Sequence, residues 1–222
     1  MRYLDLLTAL FATVLLVSNV ASTKLVVLGP FTFDGGTLLF PLAYIFGDVL
    51  TEVYGYRKSR RVIWIGFLAL LLATLTFQGV AALPTPPDAE SQRFGEAFGL
   101  LFGLTPRIVL GSLLAYFLGE FANAYVLAKL KVRTEGRFFW LRALASTLVG
   151  QGLDTGVFLL VAFYGVFPNE VLLAVFLSNY AFKLGVEALM LPFTYAVVGF
   201  LKRAEGMDAY DRDTDFNPFR LT

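Results

Sequence analysis

The stretch RKSRRVIWIGFLALLLATLTFQGVAAL, residues 57–83, decides the fold class. Arg57, Lys58, Arg60 and Arg61 give way to a run, Val62–Leu83, without one charged side chain. A helix rises about 1.5 Å per residue, so such a run reaches across the roughly 30 Å of bilayer hydrocarbon. It also satisfies its own backbone groups, as hydrocarbon demands. Five further predominantly apolar runs flank it: Leu4–Leu28, Thr37–Tyr54, Ile108–Leu130, Leu141–Phe167 and Val171–Leu201. The expectation is an all-α integral membrane protein whose six transmembrane helices occupy residues 1–203.

The whole chain agrees. Of its 222 residues 57% are hydrophobic and 16% charged, with a mean hydropathy of +0.70. A soluble domain has about 45–50% apolar and about 25% charged residues. The sequence has no Cys and no His. Disulfides, thiolate metal sites, cysteine nucleophiles, Ser-His dyads and haem ligands are therefore excluded. No cofactor or metal is expected, and the chain does not read as an enzyme. A net charge of +1 carries little information as a sum, because in a membrane protein the position of each Lys and Arg matters more, and nucleic-acid binding has no support. The expected partners are membrane lipid and a small molecule, with a homodimer left open. Leu4–Val17 followed by small Ser18–Ser22 imitates a signal peptide, but Arg2 is offset by Asp5 and the apolar run resumes through Leu25–Leu28.

Basic residues alternate between connections. Arg57, Lys58, Arg60 and Arg61 fall between spans two and three, and Lys129, Lys131, Arg133, Arg137 and Arg142 between four and five. With Arg2, Lys202, Arg203, Arg212 and Arg220 they place 14 of the 18 cations on one side, against Arg93 and Arg107 on the other. The positive-inside rule then makes both termini cytoplasmic. The connection Pro84–Arg107 carries Phe94, Ala97, Phe98 and Leu101 at helical spacing and is expected along the outer surface. Residues 204–222, with Glu205, Asp208, Asp211, Asp213 and Asp215, read as an acidic, solvated and disordered tail.

An ionisable group in hydrocarbon costs about 2.5–3.5 kcal/mol on insertion scales, so each one inside a span is a functional candidate. These are Lys24, Asp48, Glu52, Glu120, Asp154, Lys183 and Glu187. Amides extend the same stripes at Asn19, Gln78, Asn123, Gln151 and Asn179. Hydrogen bonds that only glue the bundle are the alternative. Against it, five acids face two lysines, which leaves carboxylates over for a proton or a ligand. Glu52 is placed to pair with Arg57 or Lys58, and Lys24 to snorkel outward. Asp48 and Glu52 lie four apart on one helical face and should not both stay charged in hydrocarbon. Asp48 is thus the leading coupling candidate, with Glu52 and Glu120 beside it.

Gly111-Ala115-Gly119, Gly152-Gly156 and Ala181-Gly185 permit close helix approach, and Tyr44, Phe158, Tyr180 and Phe182 stand beside the polar stripes where a flat ligand would stack. Six spans also divide into two groups of three with Asp48 and Asp154 on the middle helices, the plan of an inverted repeat with a midplane site.

Several separated segments resemble the bacterial queuosine precursor transporter family: Ser18-Asn19, FPLAYIFGDVLTEVYGYRKSRR (Phe40–Arg61), ALASTLVGQGLDT (Ala143–Thr155) and NYAFKLGVEALMLP (Asn179–Pro192). The resemblance implies a six-helix inner-membrane carrier that imports 7-cyano-7-deazaguanine, 7-aminomethyl-7-deazaguanine or a related 7-deazapurine for salvage into tRNA queuosine. It implies Asn19, Gln151, Asp154, Asn179, Lys183 and Glu187 as substrate-binding residues, with Asp48 and Glu52 in coupling or gating; Glu120 lies outside the matching segments. A guanine-like ring presents an N–H beside an exocyclic NH₂, a pair that a carboxylate such as Asp154 accepts, while an amide or Lys serves the carbonyl. Two rival readings are the substrate-binding subunit of an energy-coupling-factor importer and, more remotely, an intramembrane enzyme using Asp48 and Asp154. The chain carries no GxxxxGK[ST] nucleotide motif of its own.

Overall fold

The computed structural model describes residues 1–28, 31–103 and 106–220. Among them are seven helices: α1 (Leu4–Ala21), α2 (Phe40–Tyr54), α3 (Tyr56–Ala81), α4 (Ala89–Phe102), α5 (Pro106–Arg133), α6 (Phe139–Phe163) and α7 (Asn169–Glu205). Five of them, α1, α3, α5, α6 and α7, are long and apolar enough to cross a membrane.

The first expected span is shorter than its apolar length, and the chain is not purely helical. Helix α1 stops at Ala21, where Ser18, Asn19 and Ser22 turn their side chains back onto the carbonyls of Val14, Leu15 and Ser18. Such back-bonding and the β-branched pair Val26-Val27 favour an extended continuation. β1 (Leu25–Leu28) pairs antiparallel with β2 (Phe31–Asp34), with Leu25 opposite Asp34 and Val27 opposite Thr32. A 3₁₀ turn over Gly35–Leu38 then leads into α2.

Helix α2 differs from the expected second span in length and in setting. Its 15 residues rise about 22 Å, less than the hydrocarbon thickness. It lies inside the bundle, packed by α1, α3, α5 and α7. Val49, Leu50 and Val53 are fully buried against Phe11 and Leu15 of α1, Val62 and Ile63 of α3, and Ala124 and Leu127 of α5. Gly55 joins α2 to α3 in one residue at φ 80°, a left-handed conformation that glycine adopts without strain.

Helices α5 and α6 meet through glycine. A Cβ on Gly119 would stand 2.8 Å from Asp154 Cβ and 3.0 Å from the Gly150 carbonyl, and one on Gly150 2.8 Å from Asn123 Cβ. The other small-residue pairs behave differently: Gly152 and Gly156 receive the rings of Tyr180 and Phe176, and nothing lies within 4 Å of a Cβ on Gly185.

Both ends of the bundle are tied. The backbone N–H groups of Arg2 and Tyr3 donate to the Glu205 carboxylate at 2.9 and 2.7 Å, and Tyr54 Oη donates to it at 2.9 Å. The start of α1 and the ends of α2 and α7 therefore share one end. At the other, the Arg107 guanidinium donates to the carbonyls of Val161 and Tyr164. Helix α4 is capped by Asp88, whose carboxylate accepts from Ser91 N–H at 2.8 Å, and leans on α3 through Phe77, Phe98 and Phe102. The Ser91 bond holds the Asp88 carboxyl below its ordinary value.

Residues 207–220 contain no helix or strand, yet they lie against the bundle. Ala209 N–H donates to the Val53 carbonyl, Asp211 accepts from Tyr56 N–H, and Arg60 donates to the carbonyls of Asp215 and Asn217. Trp64 Nε1 donates to the Pro218 carbonyl at 2.7 Å, and Phe219 packs on Trp64 and Phe117.

Candidate functional site

Helical periodicity gathers the intramembrane polar residues of four helices. On α2, Tyr44, Asp48 and Glu52 follow one another at four-residue spacing. On α5, Glu120 and Asn123 share a face, as do Thr147, Gln151 and Asp154 on α6 and Lys183 and Glu187 on α7.

Asn123 Nδ2 donates to Asp48 Oδ1 at 3.0 Å, both side chains being buried. Glu187 is hydrogen-bonded by Thr147 and lies within electrostatic reach of Asp48. Glu120 is buried beside Gly47, where an added Cβ would lie 3.3 Å from its Oε2. Tyr44, also buried, is within electrostatic reach of Glu120, Asp154 and Glu187. Lys183 Nζ lies 3.0 Å from Asp154 Oδ2 and 3.4 Å from Thr155 Oγ1. That pair is the wetter part of the cluster, its side chains 15% and 21% exposed. An apolar cleft of about 390 Å³ between α6 and α7, lined by Gly156, Leu159, Leu172 and Phe176 among others, begins about half a turn beyond Asp154.

Glu52 belongs to a separate layer nearer the chain termini. Arg142 holds it at 2.5 and 3.2 Å, Lys202 at 2.7 Å and Lys131 at 3.6 Å, while Lys131 also donates to the Glu52 carbonyl. Asp208 completes the cage by pairing with Lys131 and Lys202. The expected partners Arg57 and Lys58 are thus replaced by cations from three other helices. Three cations thus neutralise Glu52 in place, and the side chain that hydrogen-bonds Asp48 is Asn123. Lys131 and Arg142 look like loop cations in the sequence, since each sits at a span boundary. Both are nevertheless buried.

The remaining expected residues are spread more widely. Asn179 lies half-buried on α7, one turn before Lys183. Asn19 donates to its own helix at Leu15 and lines a different cavity, of about 140 Å³, with Thr74, Phe77 and Gln78 between α1, α3 and α4. Lys24 is exposed beyond the end of α1. Of the aromatic candidates, Tyr180 stacks on Phe176 and donates to the Leu148 carbonyl, Phe158 sits edge-on to Phe163, and Phe182 is exposed. Thr147 escaped sequence reading, although it precedes Gln151 by one helical turn.

Residues 34–197 match the family described as putative vitamin uptake transporter. The chain is 36% identical over 187 residues to a probable queuosine precursor transporter of Bacillus subtilis (strain 168), covering 84% of this chain and 80% of the relative. It is 27% identical over 169 residues to the queuosine precursor transporter of Escherichia coli (strain K12), covering 73% and 71%. A probable queuosine precursor transporter of Haemophilus influenzae is 25% identical over 166 residues. No solved structure matches the chain. With its five long apolar helices this is a multi-pass bacterial membrane protein, and the chain belongs to the queuosine precursor transporter family.

Proposed function

We propose that this chain imports 7-deazaguanine precursors of queuosine, taking the substrate into the polar cluster between α2, α5, α6 and α7. The observation that carries the reading is the cluster itself: Asp48, Glu120, Asp154 and Glu187 stand with Lys183 in the middle of an apolar bundle whose relatives are named for this transport. A hydrocarbon-facing protein keeps such groups where a polar ligand or ion passes. In the proposed pose Lys183, steadied by Asp154, donates to the ring carbonyl, and Tyr44 offers an aromatic face. Gln151, Asn179 and Glu187 complete the substrate site, and Asn19 lies on an approach between α1 and α3. Asp48, Glu187 and Glu120 carry the coupling proton, while Glu52 and its cations close the end bearing the termini.

The finer topology is part of the same proposal. Helix α2 makes a sixth, protein-enclosed crossing, both termini face the cytoplasm, and the two groups of three helices insert in opposite senses. The shared anchoring of Arg2, Tyr3 and Tyr54 on Glu205 and the distribution of Lys and Arg support this. Single cysteines at exposed Arg2 and Asp213 should label from the same side with an impermeant reagent, and one at exposed Arg93 from the other; labelling of the first two positions from opposite sides would exclude an even number of crossings between the ends. The transport claim is tested in cells lacking their own carrier and biosynthetic route. Fed a precursor at low concentration, they should regain queuosine in tRNA only when this chain is expressed.

A further inference from the structure

Among the described residues, three buried side-chain atoms have no hydrogen-bond partner: Arg60 Nε, Asn123 Oδ1 and Gln151 Oε1. Arg60 lies where residues 215–217 dock. The other two are amide oxygens inside the acidic cluster, on side chains 1% and 2% exposed. An unmet acceptor away from water is costly to keep, and a folded protein tolerates it where something else supplies the donor.

Their placement is fixed by the glycine contact between α5 and α6. A Cβ on Gly150 would stand 2.8 Å from Asn123 Cβ, so Asn123 leans over the residue that precedes Gln151. The Asn123 amide is oriented too, because its Nδ2 is committed to Asp48 at 3.0 Å. Turning it over would set an oxygen against a carboxyl oxygen. The unmet atom of each amide is its acceptor oxygen, and the neighbouring cation Lys183 is engaged with Asp154 and Thr155.

We infer that Asn123 and Gln151 are specificity-determining residues that read the donor edge of the ligand, each amide oxygen accepting one of two adjacent N–H groups of a planar heterocycle. The inference rests on the transport reading above and refines it. The ring N–H and exocyclic NH₂ of a 7-deazaguanine go to two neutral amides from α5 and α6, rather than to Asp154.

The test is equilibrium binding of labelled 7-cyano-7-deazaguanine and of its analogue lacking the exocyclic amino group to the purified full chain. The wild type should bind the analogue at least about tenfold more weakly, since losing the donor leaves a buried acceptor unmet. Gln151→Met or Asn123→Leu, whichever amide faces the exocyclic group, should shrink that ratio to about twofold or less, and Gln151→Glu, still an acceptor, should retain it. A merely structural role would lower both affinities together and keep the ratio. Equal binding of the two compounds by the wild type, or an undiminished ratio in both apolar variants, would overturn the inference. Wild type that binds neither compound would overturn the transport reading and the inference with it.

Discussion

Arg142 holds Glu52 through both terminal guanidinium nitrogens, at 2.5 and 3.2 Å, in a pair whose side chains are each 1% exposed. With Lys131 and Lys202 this joins α2, α5, α6 and α7 at the end that carries the termini. Arg142 supplies two charge-assisted hydrogen bonds to Glu52, and Lys202 and Lys131 still neutralise the carboxylate without it. Arg142→Ala should therefore lower stability by about 1.5–3 kcal/mol, read as a fall in the unfolding midpoint in detergent. Arg142→Lys should recover only part of it, because the bidentate geometry is lost.

Asp154 and Lys183 are coupled in the same way but are partly wet, so their loss should show in binding before folding. Asp154→Asn removes the counter-charge that steadies Lys183 and should weaken precursor binding by about 1.5–3 kcal/mol. Adding Lys183→Met should cost much less than its single-variant effect, since the two act as one unit. Additive losses would show that they contact the substrate independently.

The tail should undock in acid. Burial pushes the Asp208 carboxyl up, but bonds from Lys131 and Lys202 outweigh this and hold it below the ordinary 3.8. Bonds from Asn217 N–H and Arg220 hold the Asp215 carboxyl below that value as well. Groups depressed in the docked state contribute stability that is present above pH 3.8 and lost as pH falls through their docked values. Trp64 reports the event, because its indole donates to Pro218 and only one other Trp must be replaced. In a Trp140→Phe background, Trp64 emission should hold steady down to about pH 4 and change below it. A chain ending at residue 206 should show no such transition.

Asp48 tests coupling. It faces Asn123 on α5, Glu187 on α7, and Glu120 and Glu52 at longer range. A carboxyl that exchanges a proton between the two sides links substrate to proton movement. Asp48→Asn should abolish uphill accumulation in proteoliposomes yet leave downhill exchange largely intact. Wild-type uptake indifferent to an imposed pH gradient would point to facilitated diffusion.

Much of this was legible in the sequence because hydrocarbon makes polarity conspicuous. Asp48, Glu120, Gln151, Asp154, Lys183 and Glu187 stand out in apolar runs, and the structure brings them to one region. Pairing was less legible. The cations that hold Glu52 lie 79, 90 and 150 residues away, two of them among residues that composition assigns to loops. The end of α1 was hidden because Leu25–Leu28 is as apolar as a helix would be, and only its β-branched content distinguishes a strand. Asn123 was visible as an amide, but its unmet oxygen is a property of packing.

The most direct measurement is uptake by the purified chain in sealed liposomes. Labelled 7-cyano-7-deazaguanine or 7-aminomethyl-7-deazaguanine should enter in a saturable, time-dependent way, with no nucleotide and no other protein present, and guanine should compete through the shared donor edge. Entry no faster than into protein-free liposomes for both precursors would contradict the account.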